Sequence, residues 1–179
     1  MIETIAIEEK TRTSAISSLV VQLTSHAEHS NETWPFVTLP DFEMKASLVL
    51  DLAEVLSIIV LPLVVTENLE QWGNYSVANQ GWYAEGVAIQ EKQQNAGETF
   101  GHEYNVSATS VRPMILTTTG SGFRPANLSD KGPFYPCWQY SPPIPMAFVN
   151  IDFGGTDVSA KDLSYYTQLG GRENIVGKI

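Results

Sequence analysis

The chain has one cysteine, three histidines and few charges of either sign. A lone Cys137 closes no internal disulfide and supplies no zinc-finger or iron–sulfur ligand set, so the fold must rest on packing. Its expected state is a small buried hydrophobe. Charged residues make up 17%, below the roughly 25% usual for soluble domains. Bases are scarcest, ten against twenty acids, for a net charge of −10. That excess opposes binding to nucleic acid or to an anionic bilayer surface, and neither is expected as a partner. The first twelve residues hold no apolar run of signal-peptide length. The most apolar window, Leu48 to Val65, contains Asp51, Glu54 and Pro62, which argues against a membrane span.

Catalytic patterns are missing too. There is no G-x-S-x-G, and none of His26, His29 and His102 stands beside a nucleophile elbow. His26 and His29 are one helical turn apart, with no third ligand to complete a metal site. Gly120-Ser-Gly122 and Gly154-Gly155 lack the strand–helix context of a phosphate cradle. Asp51 and Glu54 share a helix face, with nothing to mark a substrate between them. No catalytic residue, metal or cofactor is therefore expected.

What is present is a core. Hydrophobic residues make up 43% of 179, and aromatics 10%, enough for one packed domain. Ile16, Leu19, Val20, Leu23 and Ala27 mark one face of a helix from Ile2 to His29. Its length suits a stalk or a dimerisation helix over residues 1–30, ahead of a domain over 31–179, and its periodicity suits a single core helix equally. Pro35 and Pro40 predict an extended connector. Asp41 can cap a second helix, Phe42 to Leu61, and Thr66 a third, Glu67 to Gln93. On the third, Trp72, Tyr75, Trp82 and Tyr83 form an aromatic face suited to core packing or a ligand wall. Seven of the ten prolines fall between Pro113 and Pro145. Strands are predicted over Ser110–Thr119, Pro133–Ser141 and Met146–Phe153, with a last helix from Thr156 or Asp157 to Tyr166. Helices first and strands later predict an α+β fold with an antiparallel sheet.

Charge is uneven. Ala46 to Val111 holds eight acids and one base, whereas Arg112 to Ile179 holds six bases and five acids. Arg112 and Arg124 lie near aromatic and proline-rich segments, where an arginine can anchor a carboxylate or a flat ligand. Four N-x-[ST] sequons, at Asn31, Asn74, Asn105 and Asn127, exceed the roughly 1.5 expected from composition and predict a glycosylated, exported surface.

Three stretches carry a family resemblance. They are NETWPFVTLPDFE from Asn31, QWGNYSVANQGWYAEG from Gln71, and WQYSPPIP from Trp138, followed by Val149-Asn150. Together they resemble segments from extracellular regions of diatom receptor-type guanylate cyclases, and the preceding helix, with Ser18-Leu-Val and Ser25-His-Ala, resembles their juxtamembrane helix. The resemblance implies a PAS-like, CHASE-like sensor on the outer face of the plasma membrane. In such receptors the sensor lies between two transmembrane helices, with a nucleotide cyclase domain inside the cell. Neither helix nor cyclase is in this chain, which is expected to be a sensor segment and not itself an enzyme. The implied partners are a small molecule or peptide and a second copy of the chain. The expected ligand residues are Trp138, Tyr140, Arg112, Trp82 and Arg124. The expected dimer residues are Ile16, Leu19, Val20 and Leu23. Two alternatives stand beside this reading: an interaction module that only dimerises, and a standalone secreted enzyme.

Overall fold

The computed structural model describes residues 2–95, 113–119, 122–143 and 148–154. The sequence periodicity is realised first as α1, Ile2–Ser30, a helix about 43 Å long at 1.5 Å per residue. It stops at Asn31, which takes the left-handed conformation (φ 54°), while the Glu32 N–H reaches back to the Ala27 carbonyl at 2.9 Å. An extended connector leads to α2, Phe42–Ala53. Here the predicted helix is too long. Glu54 turns left-handed (φ 52°), Val55 N–H bonds the Leu50 carbonyl at 3.2 Å, and the β-branched run that follows supplies β1, Ile58–Ile59. The predicted third helix is two. A 3₁₀ turn, Thr66–Asn68, opens α3, Leu69–Ala78, and a break at Asn79–Gln80 separates it from α4, Gly81–Asn95.

Strands β2, Leu116–Thr119, and β3, Gly122–Pro125, form an antiparallel pair. β4, Tyr140–Ser141, pairs antiparallel with β1. The fold is therefore α+β, as expected, with small sheets in place of one cupped sheet. Isolated bridges join them: Val64 to Phe134, Pro136 to Asp152, and Leu116 to Ile151 in parallel. Read across, segments 58–64, 134–141, 150–152, 116–119 and 122–125 lie side by side as a frayed layer. Prolines explain the fraying. Pro133, Pro136, Pro142 and Pro143 bring no N–H to a ladder, so pairing survives only between them. The predicted helix after Thr156 lies outside the described residues.

Two cores result. The first joins the second half of α1 (Ala15, Leu19, Leu23, Ala27) to Val37, Leu39 and the inner face of α2. The second joins α3 and α4 to the strand layer through Trp72, Trp82, Tyr83, Phe134, Trp138 and Tyr140, with Cys137 buried among them as expected. Burial pushes the Cys137 thiol pKa up, away from reactivity. One close approach locks the second core: a Cβ at Gly73 would collide with the Pro113 carbonyl. The face expected to dimerise packs within the chain. Leu19 and Leu23 are buried in the chain's own first core, with Ile16 packed beside them and Val20 half-buried, so α2 already covers this face. Among the described residues no helix is long and apolar enough to cross a membrane.

Candidate functional site

The connector after α1 crosses the segment leading into β4, and side chains supply the pairing that prolines deny the backbone. The Leu39 N–H donates to Gln139 Oε1 at 2.8 Å, and Gln139 Nε2 donates back to the Leu39 carbonyl at 2.8 Å. Next to it, Trp138 Nε1 donates to Thr38 Oγ1 at 3.0 Å, and that hydroxyl lies 2.6 Å from the Tyr75 hydroxyl. On the other side of the ring stack, Trp72 Nε1 donates to Asn150 Oδ1 at 2.9 Å, and Asn150 Nδ2 donates to Ser76 Oγ at 3.0 Å. All three sequence stretches that carry the resemblance thus meet in one buried knot. A polar group buried without a partner costs roughly 1–3 kcal/mol, so these reciprocal bonds select one arrangement over its neighbours.

Aromatic rings fill the space between the bonds. Trp138 sits 5.4 Å from Trp72, 6.0 Å from Tyr75 and 5.7 Å from Trp82, while Trp82 lies 5.1 Å from Tyr140, edge to face. Burial, reinforced by the negative Glu32, pushes the Tyr75 phenol up to about 12 against the pull of its bond to Thr38. The expected ligand residues do not share one open pocket among the described residues. Trp138, Tyr140 and Trp82 are 0%, 1% and 5% exposed and interlock as core. Arg124 is exposed on β3, and its guanidinium is held by Asp130 through bonds of 2.7 and 2.6 Å. Those bonds, with the Asn127 N–H, hold the Asp130 carboxyl down at about 2. Arg112 lies outside the described residues.

A second polar cluster escapes sequence reading. Glu43, on α2, is 2% exposed. Its Oε1 accepts from Gln90 Nε2 of α4 at 2.5 Å, while its Oε2 has no partner among the described residues. Ser141 of β4 also contributes to its surroundings, and the Ser141 hydroxyl and Gln90 Oε1 are likewise buried and unpartnered. Burial raises the Glu43 pKa more than its polar neighbours Gln90 and Ser141 lower it. The carboxyl therefore takes the proton more readily than an exposed glutamate, and α2, α4 and β4 meet around it. The only sequence signal was a glutamate on the first turn of an apolar helix, which also reads as a favourable dipole partner.

On the surface, an open groove of about 430 Å³ runs between α1 and α2, lined by Lys10, Thr11, Ser14, Ala15, Ser18 and Leu52. Val21, Met44, Leu48 and Leu52 are exposed on the two helices. His26 Nε2 lies 3.7 Å from Glu32, and no three His, Cys, Asp or Glu side chains are grouped to hold a metal among the described residues. The sequons at Asn31, Asn74 and Asn127 are exposed, and Asn105 lies outside the described residues. Comparison of the chain with protein-family models, curated proteins and solved structures finds no match.

Proposed function

We propose that the chain is the extracellular input domain of a membrane receptor, its output passed through α1 to a nucleotide cyclase inside the cell. The observation that carries this reading is the tie between the connector after α1 and the strand layer, through Leu39–Gln139 and Thr38–Trp138. A displacement of the strand layer acts on the end of a long helix through these bonds. A ligand can drive that displacement only by binding one of the two states more tightly. The order of elements, a long helix, shorter helices and then antiparallel strands, supports a PAS-like topology for this domain.

A second reading has its own observation. Filled aromatic rings inside, with Val21, Met44, Leu48 and Leu52 left exposed on the helical hairpin, favour an interaction module that binds no small molecule. Protease shaving of intact cells that carry the protein, followed with an antibody to the α1–α2 hairpin, tests the first reading. Loss of signal before permeabilisation supports a domain outside the membrane; loss only afterwards overturns it. A thermal-shift screen of small metabolites and peptides separates the two readings, since hits favour the sensor and an empty screen favours the module.

A further inference from the structure

The loop after β3 is built around one asparagine. Arg124 and Asp130 close its ends through their paired bonds. Inside, the Asn127 N–H donates to Asp130 Oδ2 at 2.9 Å, and the Asp130 N–H donates to the Asn127 carbonyl at 3.0 Å. The Asn127 side-chain oxygen takes both the N–H of Ser129, at 2.9 Å, and the Ser129 hydroxyl. Asn127-Leu-Ser129 is thereby an N-x-S sequon held with its hydroxyl on the acceptor amide. Beside it Leu128 is 79% and Phe123 56% exposed, an apolar surface.

The other described sequons are arranged differently. Asn74 lies within α3, and its partner Ser76 is buried, donating to the Gly73 carbonyl and accepting from Asn150. Asn31 is the left-handed residue closing α1, and among the described residues no bond joins its side chain to Thr33.

We infer that, of the described sequons at Asn31, Asn74 and Asn127, Asn127 is the preferred N-glycan acceptor, and that the glycan covers Phe123 and Leu128. The assignment rests on the reading of the chain as exported. In the transfer, Asn127 Nδ2 forms a C–N bond to the anomeric carbon of an oligosaccharide carried on a lipid diphosphate. The anomeric C–O bond breaks, its electron pair leaves with the diphosphate, and Nδ2 releases one proton. The Ser129 hydroxyl orients the amide, and the bracket of Arg124 and Asp130 keeps the loop in place.

The test is secretion of the full chain from a eukaryotic cell behind a foreign signal sequence, with glycan occupancy mapped by amidase treatment in heavy-oxygen water and peptide mass analysis. Imposed export makes the result independent of where the native protein resides, which the shaving experiment reads separately. Asn127 is expected to carry a higher occupancy than Asn31 and Asn74, and Ser129→Ala, which keeps the asparagine, is expected to lower it at least tenfold. Ser129→Thr should keep it, and each variant should melt within a few degrees of wild type after glycan removal. A secreted protein with Asn127 empty, or with Asn31 or Asn74 occupied more fully, overturns the assignment.

Discussion

The two cores of this molecule are built from different materials and hold their shape in different ways. Between α1 and α2, aliphatic residues meet along helix faces, and each helix bonds its own interior backbone. Around the strand layer, tryptophans and tyrosines meet edge to face, and side chains such as Gln139, Asn150 and Thr38 complete a backbone interrupted by prolines. The first core tolerates substitution that conserves volume. The second specifies its geometry partly bond by bond, because a change at Trp72, Trp138 or Gln139 also orphans a buried donor or acceptor.

The contrast can be broken most forcefully at Trp138. Trp138→Ala should lose about 3–5 kcal/mol, a large part of a typical domain's 5–15 kcal/mol, and urea titration followed by fluorescence measures it. Far-UV dichroism should follow the same transition, since Thr38 ties the halves together. Two separated transitions would show that the cores unfold independently. Leu23→Ala, the matching deletion in the helical core, should lose about 2–5 kcal/mol, while Val21→Ala, one turn-face away and exposed, should stay within about 0.5 kcal/mol. Equal losses at Leu23 and Val21 would mean that α2 does not cover α1 in solution.

Gln139→Ala tests whether polar bonds carry the second core. It frees both Leu39 groups and should lose about 1–3 kcal/mol, with no counterpart among the aliphatic residues. The gentlest probe is Glu43→Gln. The Glu43 pKa is raised above its ordinary 4.5, so its contribution is complete below that value and lost as pH rises through the folded-state pKa. Wild type should therefore lose melting temperature on the way to neutral pH, whereas the neutral glutamine should flatten this part of the profile. Parallel profiles for the two proteins would show that Glu43 ionises freely where it sits.

The aliphatic core was the legible one. The spacing of Leu19, Leu23 and Ala27 gave the buried face of α1, although not that α2, rather than a second chain, would cover it. Periodicity records that a face is apolar and is silent about its partner. Helix ends were harder. Glu54 in a left-handed conformation is not a residue that propensity nominates, and the break at Asn79–Gln80, beside Gly81, splits an aromatic face that reads as one helix. The aromatic face on α3 and α4 was visible, yet rings suited to a pocket wall are equally suited to a core, and only Thr38, Gln139 and Asn150 decide between the two. Those three carry no local signature, because their partners lie far along the chain. Arg124 was noticed for its charge, while its pairing with Asp130, six residues on, was not.

Gln139 reaches Leu39 across a separation of 100 residues. A ribosome makes α1, α2 and their connector early, and closing so wide a loop is among the slower steps open to a small domain. The segment from α1 to α2 is therefore synthesised well before its tie to the strand layer can close. Until α4 and β4 follow, the face of α2 that carries Glu43 stands uncovered.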